Sequence, residues 1–117
     1  MQHRDKIVIQ KVLSEIKIGL DMLGTSSLDE FISDEKLKRA VGMTVINIGE
    51  LIKNITEETR KDYANVPWKA IAGMRDIAAH KYQTLRMEDV YNTVKSDFPT
   101  LRVQLNEILS TASDKNE

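Results

Sequence analysis

A chain of 117 residues can bury the core of one domain, and the absence of cysteine excludes disulfides, thiolate metal sites and a cysteine nucleophile. A net charge of −1 argues against a strongly basic nucleic-acid binder. No apolar stretch is long enough to cross a bilayer, and the charged N-terminus is unlike a signal peptide, so we expect a soluble, cytoplasmic protein.

Two long helices with a short one between them are predicted for the first half of the chain. Apolar residues at intervals of three and four predict a helix over 4–23, and Gly24 can end it in a left-handed conformation. Residues 27–30 carry a capping-box pattern that opens a short helical turn. We expect Ser33 to cap the second long helix, over about 34–54. The apolar stripe of the first helix comprises Ile9, Val12, Leu13, Ile16, Leu20 and Leu23.

The middle of the chain predicts a short helix and a third long one. Residues 56–58 are typical of a helix start, and 60–65 are predicted to be a polar connection. Pro67 suits the first helical position of a helix that runs to about Tyr82, and a break follows at 83–85.

The C-terminal part predicts one or two further helices. A helix is expected over about 86–97, and Pro99 either kinks it or begins a last helix through Leu109. The polar residues 111–117 are expected to form a frayed tail. The fold predicted from this pattern is an all-α up-and-down bundle of four to five helices, with one domain over 1–110.

Positive charge is concentrated in one segment. Residues 60–86 hold six Lys/Arg against two Asp/Glu, a net +4. Residues 1–59 hold eight against ten, a net −2, and residues 87–117 hold three against six, a net −3. This distribution favours a site for a polyanion in the third helix, and the alternative is a chance cluster on a solvated face.

The densest group of chemically active side chains lies in 73–82, within the third helix. At about 100° per residue, Arg75 and Tyr82 lie nearly in line, whereas Asp76 and His80 are neighbours four residues apart. Arg75 and His80 are separated by about 140° around the axis and about 7.5 Å along it. Either Arg75 reaches around the helix, or the helix loosens near His80, or two copies of the motif meet across an interface.

Small residues beside this group favour the third alternative. Gly73, Asp76, Ile77 and His80 form one helical stripe, and its glycine and apolar residue suit close docking of a second helix. The sequence therefore predicts a homodimer with a composite site.

Arg75 and His80 could together cleave an RNA phosphodiester by acid–base chemistry. Histidine transfers protons near neutral pH, arginine binds phosphate through two parallel hydrogen bonds, and the 2′-hydroxyl of the substrate would be the nucleophile. Asp76 and His80 provide only two metal ligands, so we expect no metal site and no cofactor. The sequence contains no serine elbow and no glycine-rich phosphate loop.

Structural roles are the alternative for each of these residues. His80 can make a favourable contact with the helix dipole, Arg75 can belong to a structural ion pair, and Asp76 can simply orient His80. The scattered aromatic residues that we expect to be packing groups rather than base-stacking platforms are Tyr63, Trp68 and Tyr91.

The spacing of Arg75, His80 and Tyr82 resembles the Arg-x4-His-x-Tyr signature of HEPN-domain proteins of the HepT-like toxin type. The resemblance extends from the first helix to about Leu109. The flanking segments that are similar are Ile48-Gly49-Glu50, Val66-Pro67-Trp68, Ile71-Ala72-Gly73-Met74 and Asp97-Phe98-Pro99.

The resemblance implies a small HEPN-like α-helical homodimer that acts as a metal-independent ribonuclease, commonly the toxin of a two-gene toxin–antitoxin module. Arg75 and His80 would be its catalytic pair, with Asp76 as a supporting residue where asparagine is common. Tyr82 would receive AMP from a cognate nucleotidyltransferase antitoxin, which silences the enzyme. The implied substrate is RNA, frequently tRNA.

Two other classes of function stay open at this point. One is a catalytically silent HEPN module that binds a nucleotidyltransferase partner or a nucleotide. The other is a helical dimer in which the polar cluster only fixes the interface.

Overall fold

The structure, a computed structural model, describes residues 1–80 and 87–112, and the side chains of 1–74 and 87–112. All regular secondary structure in these residues is helical, which confirms the all-α prediction. No helix in the described part of the chain is long and apolar enough to span a membrane. The elements are α1 (His3–Leu23), α2 (Leu28–Ser33), α3 (Glu35–Ile52), α4 (Glu57–Asp62), α5 (Trp68–His80), α6 (Met87–Asn92), a π-helical segment (Thr93–Asp97) and α7 (Phe98–Thr111).

The core forms where α3 packs against α1 on one side and α5 on the other, with α7 against α1. The predicted stripe of α1 is confirmed, because Ile9, Val12, Ile16 and Leu23 are buried. Gly19 marks a close approach of helices: a Cβ there would lie 3.2 Å from both the Phe98 ring and the Thr44 methyl group. The close packing of α1, α3 and α7 therefore depends on a glycine at this position.

The N-terminal caps are partly as predicted. The capping box is confirmed, since the Glu30 N–H donates to Ser27 Oγ (3.1 Å) and the Ser27 N–H donates to Glu30 Oε1 (2.9 Å). The prediction that Ser33 caps α3 is wrong. Asp34 is the cap, accepting a hydrogen bond from the Leu37 N–H (3.0 Å), and the Ser33 hydroxyl instead donates back to the Glu30 carbonyl (3.1 Å).

The C-terminal end of α3 is closed by an arginine from the next helix. α3 ends at Ile52, two residues before the predicted Asn54. The Arg60 guanidinium donates to the carbonyl oxygen of Ile52 (3.1 Å), which also accepts from the Ile55 N–H (3.1 Å), and to that of Ile55 (3.3 Å), and so joins α4 to the end of α3.

A buried carboxylate joins α1 to the start of α4. Asp5 is fully buried and accepts hydrogen bonds from the Thr56 N–H (3.1 Å), the Thr56 hydroxyl (2.5 Å) and the Thr59 hydroxyl (2.7 Å). The Thr56 hydroxyl also caps α4. The N-terminus of α1 therefore holds the short helix that leads into α5.

The boundaries in the second half differ from the predictions by a few residues. The prediction of a polar connection over 60–65 is wrong for residues 60–62, which belong to α4. Pro67 precedes α5, which begins at Trp68, instead of occupying its first position. The predicted end at Tyr82 and the predicted break at 83–85 lie outside the described residues.

The C-terminal helices form one continuous helical run. α6 passes through the π-helical segment directly into α7, and Pro99 lies in the first turn of α7. Of the two predicted roles of Pro99, beginning the last helix is therefore confirmed. A π-helical turn before a proline is a usual way to accommodate its missing N–H and its ring. α7 reaches Thr111, two residues past the predicted end, and the domain boundary at 110 stays a prediction.

Candidate functional site

The residues predicted to carry the chemistry lie on one helix. Arg75, Asp76 and His80 all belong to α5, whose backbone is α-helical as far as His80. Their side chains, and the whole of Tyr82, lie outside the described residues. The described backbone therefore places the three residues within two turns of a single helix, and their mutual contacts stay predictions.

The first turns of α5 are firmly fixed in the core. Trp68 and Ile71 are buried, as is Val66 just before the helix. The Trp68 indole N–H donates to the Tyr63 carbonyl (3.0 Å), and the Ile71 N–H donates to the Pro67 carbonyl (3.0 Å). This anchoring sets the position and direction of the helix before it reaches the predicted catalytic residues.

One side of α5 is open at Gly73. An added Cβ at this glycine would meet no atom within 4 Å among the neighbours that the structure describes, in contrast to the crowded Gly19. A second helix could therefore approach the α5 backbone at Gly73 without displacing any side chain that the structure describes.

A groove runs along the α5 surface just before the predicted catalytic residues. Its volume is about 380 Å³, within the range of about 300–1,000 Å³ typical of small-molecule sites. Two walls face each other, one on α5 and the other on the π-helical segment and α7. The lining residues are Pro67, Ala70, Ile71, Met74, Thr93, Asp97, Phe98, Thr100, Leu101 and Gln104.

The positive segment 60–86 is only partly available as a surface for anions. Arg60 is half-buried and caps α3, so its charge has a structural role. Lys61 and Lys69 are exposed on α4 and α5. The other cations of the segment are Arg75, Lys81 and Arg86, whose side chains lie outside the described residues.

The three aromatic residues are packing groups, as predicted. Trp68 is buried, and Tyr63 and Tyr91 are half-buried. The Tyr91 hydroxyl donates to the Ser26 carbonyl (2.7 Å), and its ring lies 5.7 Å from the Phe31 ring, centroid to centroid. Tyr91 therefore joins α6 to α2 and offers no free face for a stacked base.

Shifted carboxyl groups lie at helix starts away from α5. Hydrogen bonds from the Ser27 backbone and hydroxyl lower the pKa of Glu30 below its ordinary value of 4.5. A hydrogen bond from Lys38, with the charges of Lys38 and Arg39, lowers the pKa of Glu35 in the same way. Among the described side chains of 1–74 and 87–112, no three His, Asp or Glu residues come close enough to share a metal ion.

Sequence reasoning missed three residues that shape this region. Asp5 and Arg60 position α4, and Asp97 lines the groove. The partners of Asp5 are more than 50 residues away in the chain, a separation at which helical periodicity carries no signal. The capping by Arg60 could have been anticipated only as a general preference for cations near a helix C-terminus.

Comparisons with known proteins identify a family. A family model described as "Ribonuclease HepT-like" matches residues 9–108. A protein of Caldanaerobacter subterraneus subsp. tengcongensis named as a candidate RNase is 34% identical over 101 residues, which are 86% of this chain and 90% of that protein.

Two further relatives extend the similarity. A protein of Thermococcus cleftensis named as a probable ribonuclease HepT is 28% identical over 102 residues, or 87% of this chain and 93% of that protein. One from Methanocaldococcus jannaschii, whose name joins gamma-glutamylcyclotransferase to a candidate RNase, is 33% identical over all 117 residues, and this chain spans 52% of its length. No solved structure matches the chain significantly.

Proposed function

Because this chain belongs to the HepT-like ribonuclease family, we propose that it is a metal-independent endoribonuclease with Arg75 and His80 as its catalytic pair. The observation that carries the proposal is that both residues lie on α5, a helix fixed by buried Trp68 and Ile71 and lying within the family match over 9–108. The finer assignments, including the RNA target, rest on the motif Arg75-x4-His80-x-Tyr82.

The proposed reaction uses the substrate's own hydroxyl as the nucleophile. His80 takes the proton of the 2′-hydroxyl, the 2′-oxygen attacks phosphorus, and the bond to the 5′-oxygen breaks as that oxygen receives a proton from the imidazolium of His80. Arg75 binds the phosphate and offsets the negative charge that develops on it. The products are a 2′,3′-cyclic phosphate and a 5′-hydroxyl, so the step needs no oxidant, and in the proposed mechanism Arg75 and His80 act without a metal.

A homodimer supplies the geometry that one helix lacks. On a regular helix, Arg75 and His80 are about 7.5 Å apart along the axis and face directions about 140° apart. The open backbone at Gly73 supports the approach of a second α5, which would bring Arg75 of one protomer near His80 of the other. Two such composite sites would form around one two-fold axis.

We further propose that the protein is a cytoplasmic toxin controlled at Tyr82. A cognate nucleotidyltransferase antitoxin would transfer AMP from ATP to the Tyr82 oxygen, with pyrophosphate as the leaving group. On a helix continued to Tyr82, that residue lies in line with Arg75, so the added phosphate and adenosine would obstruct the RNA phosphate there. Asp76 supports the site by orienting His80 four residues on.

The dimer is tested by Gly73→Leu. Because no described neighbour of the same protomer lies within 4 Å of a Cβ at this position, the variant should keep its helical content by circular dichroism. Light scattering should then show a monomer, and RNA cleavage should be lost. Ala64→Leu, at an exposed position between α4 and α5, is the matched control. A Gly73→Leu dimer with normal cleavage would contradict the composite site.

The modification is tested by intact mass after co-expression with a nucleotidyltransferase encoded beside the gene. An adenylate-sized increase is expected for the wild type and should be absent from Tyr82→Phe. An increase that persists in the variant would place the modification elsewhere.

A further inference from the structure

The described lining of the groove on α5 reaches Met74, the residue before the proposed catalytic motif. Met74 lines the groove and is followed immediately by Arg75. A nucleotide next to the phosphate held at Arg75 would therefore lie within reach of the groove. This step rests on the proposed function, because it takes Arg75 as the phosphate ligand.

The groove combines an apolar floor with a polar rim. The floor is formed by the buried Ile71, Phe98 and Leu101 together with the half-buried Met74. The rim side chains that can hydrogen-bond are Thr93, Asp97, Thr100 and Gln104. An unstacked base needs this combination, since its faces are apolar and its edge carries donors and acceptors.

Two of the rim side chains already have one partner each. The Thr100 hydroxyl donates to the Ser96 carbonyl, and the Gln104 amide donates to the Asn65 carbonyl, both at 3.4 Å. Among the described side chains, those of 1–74 and 87–112, the structure gives the Asp97 carboxylate neither a hydrogen bond nor an ion pair. Asp97 is exposed, so its oxygens are free to accept hydrogen bonds from a ligand.

The chemistry of Asp97 selects among the bases. A carboxylate is an acceptor only, so it favours a base edge that carries N–H donors. Guanine presents two parallel donors on its Watson–Crick edge, adenine and cytosine present one amino group, and uracil presents a single N–H between two carbonyl groups. Two parallel hydrogen bonds to a carboxylate are stronger and more specific than one.

Each of the two helices that border the groove carries an exposed cation next in sequence to a groove residue. Exposed Lys69 is next in sequence to the groove-lining Ala70 on α5, and exposed Arg102 is next to Leu101 on α7. Each helix that borders the groove therefore also carries a cation that can contact the RNA backbone, while the carboxylate of Asp97 contacts a base.

We infer that this groove binds an unpaired guanine of the RNA substrate, beside the phosphate held at Arg75, with Asp97 as the residue that determines the base preference. Asp97 does no chemistry in this assignment. It positions one nucleotide and so sets where the RNA is cut.

The test measures binding without cleavage. His80→Ala protein is titrated into fluorescently labelled uridine hexamers that contain one guanosine, one adenosine or neither, and anisotropy gives the Kd. The guanosine hexamer should bind roughly ten-fold or more tightly than the all-uridine hexamer. Adding Asp97→Asn, which exchanges an acceptor for a donor, should bring that ratio to about two-fold or less. Asp89→Asn, an exposed position on α6 outside the groove, should leave it unchanged.

The outcomes separate this inference from the ribonuclease proposal. If wild-type protein cleaves RNA but shows no guanosine preference, or keeps it in Asp97→Asn, the groove assignment is wrong and the ribonuclease proposal stands. If the preference follows Asp97 but wild-type protein does not cleave RNA, the groove assignment stands and the ribonuclease proposal fails.

A further variant tests whether another chain occupies the groove. Ala70→Trp should fill it, abolish the guanosine preference and leave the oligomeric state unchanged. If this substitution instead converts a dimer to a monomer, the groove is a contact between two copies of the chain, and the inference is overturned.

Discussion

Replacing Asp5 with alanine should destabilise the protein more than any exposed carboxylate substitution. The change removes the acceptor of three hydrogen bonds and leaves the hydroxyl of the buried Thr59 without its partner. Hydrogen bonds to a charged group contribute about 1.5–3 kcal/mol each but are not additive, so we expect a loss of roughly 4 kcal/mol. This loss is a large share of the free energy of unfolding of a typical domain, which is about 5–15 kcal/mol.

The assay is thermal and urea unfolding followed by circular dichroism. The expected decrease in Tm is roughly 15 °C for a domain of this size. Asp21→Ala is the matched control, because its carboxylate forms an exposed ion pair with Lys17 (2.6 Å), and removing such a pair should cost about 0.5 kcal/mol. Hydrogen exchange should also show that α4 loses protection before α1 and α3 do.

A second variant checks that the Asp5 effect arises from this network. Thr59→Val removes one hydrogen-bond donor with little change in shape. It should lower the free energy of unfolding less in the Asp5→Ala background than in the wild type, because in that background the Thr59 hydroxyl has already lost its acceptor. Equal decreases in Tm for Asp5→Ala and Asp21→Ala would refute this network. So would a double variant, Asp5→Ala with Thr59→Val, whose loss of unfolding free energy equals the sum of the two single losses.

The remaining predictions concern packing, pH and catalysis. Gly19→Leu should lower the free energy of unfolding by about 2–3 kcal/mol in urea unfolding, because an added Cβ alone would already lie 3.2 Å from two neighbouring side chains. Because the pKa of Glu30 is lowered, its ionised carboxylate stabilises the fold at pH values above its ordinary pKa of 4.5, and this contribution is lost as the pH falls through the folded-state pKa. The Tm of the wild type should therefore decrease more between about pH 5 and 3 than the Tm of Glu30→Gln. Asp76→Asn should raise the rate of RNA cleavage in single-turnover assays, because the amide oxygen can still accept a hydrogen bond from His80 while the amide nitrogen can donate one to phosphate, which an ionised carboxylate cannot.

Helical periodicity and end signals predicted most of the fold. The buried stripe of α1 and the capping box at Ser27 follow from local spacing, and both were predictable for that reason. The errors fall at helix ends, where two adjacent residues could serve equally well. Ser33 and Asp34 are both good caps, and only the chain direction after α2 decides between them.

The parts of the candidate region that could not be predicted depend on contacts between distant residues. The groove brings Ala70 on α5 opposite Asp97 and Gln104, and no periodicity in either segment indicates that they meet. Arg60 is a second example. In the sequence it belongs to the positive segment 60–86, whereas in the fold its guanidinium binds carbonyl oxygens at the end of α3. The motif residues could be singled out because their spacing within one helix is itself local information.

Cleavage of RNA by Arg75 and His80 can be tested by comparing three forms of the protein. Purified wild type, His80→Ala and the control His3→Ala are incubated with total tRNA in excess EDTA, and the fragments are examined for their ends. Wild type and His3→Ala should release fragments with 2′,3′-cyclic phosphate and 5′-hydroxyl ends, while His80→Ala should be slower by at least about 100-fold. Equal fragment yields from wild type and His80→Ala would contradict the account and leave a binding module in its place.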